Sequence, residues 1–516
     1  MNWRRLGICA AIALMTLLAL ALAVRNELGD RLDLPLQWDE LFFLTCTARE
    51  QVEGGMPWAG CHDNKGPLIY VLYALLLNPE QLYDMARLKY AAFGFSAAIL
   101  AAGSALAWRA GGRWAAFIFL SLLGLHWASS PVLMALKTEQ LGMLLMLLGL
   151  VVLPTLIGAS GRDRPLLAGV LFGLSLLAKQ VFVIPLVVLV IGLWATAAAQ
   201  RVKLSVWMLA GVCLPFVFSL AYFWQAGRLE DHLASLVLHV TMYASPDPAT
   251  FIQRWSWRFG GLAVALTSYP VFGSLLALLA AGLALRWRWM CSLAPAGLLF
   301  LVLGLLLIGL LTPMLMAQHL APFFVESAVL AGVVAGRYLT EHGTTPAADA
   351  LGMGWAICGL AVVLTVWFGP AGRAETGRAF YRFEKLPAAQ TRYAYVAGIW
   401  PELFVTNGLL PASDVMYPTA LPGAPNSWFF TRPDPATLKG RIAIKNFERN
   451  AISLMADFKR TPPSYIYVSN DMARSPGQAR PTDIPVLADY IDSHCSYLRE
   501  IVGVKQHAGV IYRCHP

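Results

Sequence analysis

The sequence predicts a polytopic α-helical membrane protein with a soluble α/β domain at its C-terminal end. Three observations predict it. Hydrophobic residues make up 58% of the 516-residue chain and charged residues 13%, about half the charge of a soluble domain. Apolar runs near the ~20 residues that cross a bilayer recur as far as about residue 369. Beyond about residue 370 they stop, and a Pro-rich, mixed-charge stretch takes over.

The elements follow in order. Arg4 and Arg5 precede an apolar run, Leu6 to Val24, that reads as an uncleaved signal anchor. It is longer than a signal-peptide core, although Ala21-Leu22-Ala23 has the small residues of a cleavage site. Further spans fall at about 85–108, 114–133, 140–158, 166–179, 181–198, 204–224, 260–284, 293–311, 321–338 and 350–369. The run at 66–78 is too short to cross and begins beside a proline, so it reads as juxtamembrane or re-entrant. Lys179-Gln180 divides the block 166–198 into two helices that turn at the outer surface.

Charge placement gives the orientation. With a cytoplasmic N-terminus, the inner connections hold Arg109/Arg113, Arg162/Arg164, Arg201/Lys203, Arg286/Arg288 and Arg337, as the positive-inside rule requires. Counting 66–78 as a span puts all of them outside. About 11 transmembrane helices are therefore predicted, with residues 1–369 as the membrane domain, an outer loop at 25–84, and an outer domain at 370–516. The net charge of +9 is spent at the ends of apolar runs, which argues against a nucleic-acid partner.

In the tail, YAYVAG (393–398), SYIYVS (464–469) and GVIYRC (509–514) read as strands, and about 440–458 and 485–498 as helices. It has no glycine-rich phosphate loop. The absence of an internal repeat argues against an inverted-repeat transporter. Of eight cysteines, Cys46 and Cys61 fall in the first outer loop and Cys495 and Cys514 in the outer tail, positions that suit two disulfides in an oxidising periplasm. Closing the short first loop contributes about 3 kcal/mol in the chain-entropy model. The remaining four, Cys9, Cys213, Cys291 and Cys358, lie within or beside apolar spans.

The stretch Gln37 to Pro67 is too rich in ionisable groups for hydrocarbon and belongs at a membrane surface or in a cavity facing one. It holds Asp39 and Glu40, which diverge by ~100° on a helix and so take different roles: one faces a cavity, the other orients it or binds an acceptor or a metal. Acids in the first turn of an interfacial helix have the same appearance. Lys65-Gly66-Pro67 sets a cation where the chain re-enters the membrane, suited to a phosphate or to snorkelling. Lys137-Thr138-Glu139 is a second charged step, between two spans; Thr and Glu there also suit an ordinary helix start. His239, Tyr243, Arg254 and Arg258 populate the outer loop at 225–259 and His319 another outer turn, with Trp255 and Trp257 as an interfacial belt. No metal-ligand spacing such as HExxH occurs. No cofactor is required, and a divalent metal stays open.

Together these features resemble the C-type membrane glycosyltransferases, particularly the protein O-mannosyltransferase-like group that includes the lipid A aminoarabinose transferases. Trp38-Asp39-Glu40 looks like their first-loop acidic motif, and Lys65-Gly66-Pro67 like their Lys-Pro motif with a glycine inserted. Leu177-Ala178-Lys179 is similar to their mid-chain Leu-x-Lys step, and Pro462-Pro463-Ser464-Tyr465-Ile466 to a tail motif of bacterial members. Glu139 stands where many members carry Asp. The resemblance covers nearly the whole chain, mostly through hydropathy and spacing. It implies a multi-pass protein of the bacterial inner membrane, a polyprenyl-phosphate-linked sugar donor, and a periplasmic acceptor that is a glycan, lipid A, another lipid or a protein. It also implies inversion at the anomeric carbon.

The chemistry agrees. A lipid monophosphate leaves readily when a cation holds its charge, here Lys65 or the loop arginines Arg254 and Arg258. The protein must then mainly deprotonate the acceptor hydroxyl. Asp39 is the expected base and Glu40 its support, with Glu139, His239, Tyr243 and His319 as substrate contacts. Carboxylate attack on the sugar instead gives retention. Two other classes compete. A lipid-sugar transporter or flippase needs no catalytic carboxylate, but such proteins carry ionisable groups mid-helix, and here they gather at span ends. A membrane-anchored assembly protein has the tail as its working part.

Overall fold

The computed structural model describes residues 38–55, 65–78, 82–129, 135–157, 161–196, 200–234, 298, 302–305, 307, 317–342, 385–398, 401–416, 421–422, 434–469, 484–501 and 509–515. The predicted spans at 6–24, 260–284 and 350–369, and most of 293–311, lie outside these residues. In chain order the elements are α1 (Trp38–Glu53), α2 (Leu68–Leu76), α3 (Met85–Ser129), α4 (Thr138–Val151), α5 (Pro165–Ala178), α6 (Val183–Thr196), α7 (Arg201–Gln225) and α8 (Leu229–Ala234). Then come α9 (Ala317–His342), β1 (Tyr393–Ala397), α10 (Glu402–Asn407), β2 (Leu410–Pro411), α11 (Leu438–Arg460), β3 (Tyr465–Ser469), α12 (Pro485–His494), β4 (Cys495–Ile501) and β5 (Gly509–Cys514). The chain divides into two compact units. One contains Leu88–Phe218 and Thr250–Gly372; the other gathers Pro35–Arg87, Ser219–Ala249 and Arg373–Pro516.

The first unit is helical. Within α3, Gly112 has φ 80° and ψ −175°, a conformation open to glycine alone among common residues. It breaks the run into two helices where the sequence predicts the boundary between 85–108 and 114–133. Two of the basic residues assigned to inner connections work as caps near this break. Arg337 Nε donates to the Ala110 carbonyl at 2.7 Å, and the Arg109 guanidinium donates to the Val151 carbonyl at the end of α4. Lys179 likewise interrupts α5 and α6, with extended backbone between α5 and a short 3-10 turn, Gln180–Phe182. Among the described residues, two helical segments are long and apolar enough to cross a membrane, Met85–Gly124 and Arg201–Gln225. α4, α5 and α6 fall on predicted spans but are shorter than that criterion.

Glycines set the spacing between these helices, because lipid supplies no hydrophobic drive and close backbone approach must do the packing. A Cβ on Gly169 of α5 stands 2.0 Å from the Met208 carbonyl of α7, and one on Gly211 of α7 stands 2.2 Å from the Leu166 carbonyl. Rings fill the next layer: Phe182 covers Gly142 and Phe172 covers Gly149, while Ser175 Oγ donates to the Gly142 carbonyl at 2.9 Å. Phe119, Leu147, Phe172, Leu189 and Val333 form the centre of this core, all fully buried.

In the second unit the tail builds a five-stranded sheet of order β2-β1-β3-β5-β4. β1 runs parallel to β2 and β3, and β5 antiparallel to β3 and β4. The apolar face of α11 packs on it: Phe458 meets the rings of Tyr395 at 5.2 Å and Tyr490 at 4.7 Å. Thr437 caps α11 by accepting from the Gly440 amide at 2.9 Å. The helix predicted over 485–498 is shorter. It ends at His494, and Cys495–Ile501 is strand β4. Cys495 lies directly across from Cys514 and is disulfide-bonded to it, so pairing with β5 overrides the local helical pattern.

The Gly169–Gly211 crossing gives a direct test. Gly169→Leu or Gly211→Leu forces backbone apart and should cost about 1–3 kcal/mol or more. Thermal unfolding of the purified protein in detergent should show a lowered midpoint for each. Gly227→Asn, at a turn where φ is 67° and a Cβ meets nothing, should change it little.

Candidate functional site

α1 opens on Trp38-Asp39-Glu40, acids in a first turn where unsatisfied amides favour negative charge. Both residues are buried, each 4% exposed. Lys65 Nζ lies 3.4 Å from Asp39 Oδ1. The same ammonium stands over the Phe43 ring at 5.2 Å and the Phe42 ring at 5.9 Å, within cation–π range. Phe43 in turn meets Tyr70 and Tyr73 of α2 edge-on, at 5.4 and 5.5 Å, and Gln51 Nε2 donates to the Ala74 carbonyl at 2.7 Å. The 66–78 run therefore packs as a short helix against α1. This leaves a carboxylate, a neighbouring carboxylate and an ammonium on an aromatic floor.

A second charged pair lies in the first unit. Glu139, in the first turn of α4, forms an ion pair with Lys179 and accepts from Thr138 Oγ1 at 2.9 Å. Lys137 and Glu139 are buried. The two stretches singled out in the sequence, Lys137-Thr138-Glu139 and Leu177-Ala178-Lys179, are thus in contact. His319 lies in α9, and His239, Tyr243, Arg254, Arg258 and Cys61 lie outside the described residues. Cys46 is disulfide-bonded. Among the described residues no group of three His, Cys, Asp or Glu side chains is placed to hold a metal ion.

One constellation was not apparent in the sequence. Arg49, 1% exposed, points from α1 into the tail domain. Its Nε meets Glu53 Oε1 at 3.1 Å, Nη1 meets Asp414, and Nη2 lies 3.9 Å from Asp457 Oδ1. Arg228, just beyond α7, adds a contact from Nη2 to Asp414 Oδ2 at 3.2 Å. Asp457 accepts from Ser413 Oγ, the Asp414 amide and Arg460 Nη2 at 2.9–3.1 Å. Tyr83 closes the same junction by donating to the Leu409 carbonyl at 2.5 Å. The Arg49–Glu53 spacing was readable as a helical pair; partners 365 residues away were not.

Beside this cluster Glu50 is buried under Gly55, where a Cβ stands 2.0 Å from its Oε2. Burial, then the charge of Asp414, pushes its pKa up to about 7. Glu402, at the start of α10, is pushed up to about 8 by burial. Its oxygens have no hydrogen-bond partner. Each acid holds its proton more tightly folded than unfolded. Their stabilisation is complete below the unfolded carboxylate range and is lost as pH rises through the folded values. The thermal midpoint should therefore fall between about pH 5 and pH 8, and Glu50→Gln with Glu402→Gln should flatten that slope. A double variant that keeps the full slope shows that these acids do not set it.

No protein-family model and no curated protein sequence matches this chain. Solved structures do, and they are C-type membrane glycosyltransferases, whose fold the chain shares. ArnT from Cupriavidus metallidurans, a lipid A aminoarabinose transferase, aligns in the apo state at TM-score 0.51 and 13% identity, over 98% of both chains. The same protein bound to undecaprenyl phosphate aligns at TM-score 0.54 and 14% identity, over 97% of both. The apo oligosaccharyltransferase of Archaeoglobus fulgidus aligns at TM-score 0.49 and 12% identity, over 96% of this chain and 74% of its own.

Proposed function

We propose that the chain is a multi-pass membrane glycosyltransferase that moves a sugar from a polyprenyl-phosphate donor to a hydroxyl acceptor, with inversion. The observation that carries this reading is the Lys65–Asp39 pair at 3.4 Å, within a fold shared with a protein solved around undecaprenyl phosphate. In this reading Lys65 leaves Asp39 for the incoming phosphate, and the carboxylate it releases faces the acceptor. Asp39 takes the hydroxyl proton as that oxygen attacks the anomeric carbon. The sugar–phosphate bond breaks on the opposite face, and Lys65 holds the charge gained by the departing lipid phosphate. Glu40 orients the loop, Glu139 is a substrate contact steadied by Lys179, and Arg254 and Arg258 assist the phosphate. His239, Tyr243 and His319 complete the proposed substrate contacts. The acceptor is an envelope saccharide, lipid A or another periplasmic hydroxyl. In this reading the chain crosses a bacterial inner membrane eleven times, with this loop and the tail on the periplasmic side.

Asp39→Asn keeps the size but cannot take a proton, so turnover should fall by about 10²–10⁴ while donor binding persists. Lys65→Ala should weaken binding of polyprenyl phosphate, and Lys65→Arg should restore it only in part, because a fork is not a point charge. Both are read with purified protein, by turnover assay and by polyprenyl-phosphate titration. Wild-type turnover in Asp39→Asn removes it as the base. Unchanged affinity in Lys65→Ala removes the phosphate site.

A further inference from the structure

We propose that the exposed stripe of α11 rests on the membrane surface, with its cations on anionic phospholipid headgroups and its apolar side chains at the acyl boundary. The inner face of α11 is buried through Ala443, Phe447, Leu454 and Phe458. Yet Leu438, Ile442 and Ile452 are 68%, 50% and 72% exposed. Single exposed apolar residues are ordinary. These three, however, share one stripe with Lys445, Arg449 and Lys459, at steps of three, four and finally seven residues. Cations interspersed with large aliphatic residues on the outward face of a helix suit interfacial binding.

The structure also says which surface this is. Arg449, on that stripe, pairs with Glu230 Oε1 at 3.2 Å. Glu230 stands five residues beyond Gln225, the end of α7, a helix long and apolar enough to cross a membrane. α8 is held to that end: His232 stacks on Phe223 with centroids 3.9 Å apart and lies 3.4 Å from Ser219 Oγ. Burial pushes the His232 pKa down to about 4, so the ring sits there neutral. The Arg449 pair thus sets the stripe beside α8, the helix that follows α7 in the chain. Trp224, in the last turn of α7, is exposed, as interfacial tryptophans are. The exposed cations Arg441, Lys445 and Lys459 outnumber Glu448 on this side, which selects anionic over neutral lipid.

The test uses full-length protein in a Cys213→Ser background, which removes the free thiol found among the described residues. Ile442→Cys and Ile452→Cys are labelled with bimane, and the parent labelled alike gives the background. The protein is reconstituted in vesicles containing phosphatidylglycerol or phosphatidylcholine alone, with and without acyl-brominated lipid. Bromolipid should quench both sites, more deeply in the anionic vesicles, and Lys445→Glu with Lys459→Glu should reduce the quenching. Asp489→Cys on α12 should stay bright. Absence of quenching at both sites overturns the proposal. So does quenching at Asp489 to the same depth, or shielding that follows protein concentration and 452-to-452 cross-linking, which indicates a second copy on the stripe. Quenching unaffected by lipid charge and by the glutamate substitutions overturns the choice of anionic headgroups.

Discussion

A guanidinium in a protein interior has to be paired, and Arg49 draws three distant stretches of chain together to meet that need. Glu53 comes from its own helix, Asp414 from the turn after β2 and Asp457 from α11, while Arg228 approaches Asp414 from beyond α7. Deleting one partner of such a group costs about 3–5 kcal/mol, because the other charge is left buried. The helix that bears Asp39 and Glu40 therefore cannot shift without the tail domain. Nor can α11 be repacked freely, since Asp457 is at once a sheet-facing anchor and an acceptor for Ser413 and the Asp414 amide.

The charge count around Arg49 explains the state of its neighbour. Arg49, Arg228 and Arg460 face Glu50, Glu53, Asp414 and Asp457, so the carboxylates exceed the cations by one. Glu50, held under Gly55, has its pKa raised to about 7, first by burial and next by Asp414. When Glu50 is protonated, three anions remain against three cations.

Periodicity and punctuation made much of the fold legible. Apolar runs ended by basic residues marked α3 to α7, Gly112 stands where a boundary was expected, and Lys179 divides its block as read. The three alternating segments of the tail are strands. What stayed hidden depends on partners remote in sequence. β4 follows a helical pattern without a break, and only its ladder with β5 makes it a strand. In the site, residue type pointed to Asp39, Lys65, Glu139 and Lys179 one at a time. That they stand in two contacting pairs, Asp39 with Lys65 and Glu139 with Lys179, was not deducible from spacings of 26 and 40 residues. Nothing in the spacing around Arg49 pointed to Asp414 or Asp457 for the same reason.

These pairs share a feature that ties the chemistry to the backbone. Lys65 lies in the turn leading into α2, Lys137 has extended backbone at the start of α4, and Lys179 has extended backbone between α5 and its 3-10 turn. Where a helix starts or stops among apolar neighbours, amides and carbonyls lose their intrahelical partners, and such a place is tolerated only if it is buried in protein or lines a polar cavity. Polar side chains suit those interruptions for the same reason. A chain that carries charge within an apolar scaffold does so at least cost at its helix breaks. Here Asp39, Glu40, Lys65, Lys137, Glu139 and Lys179 lie at such breaks.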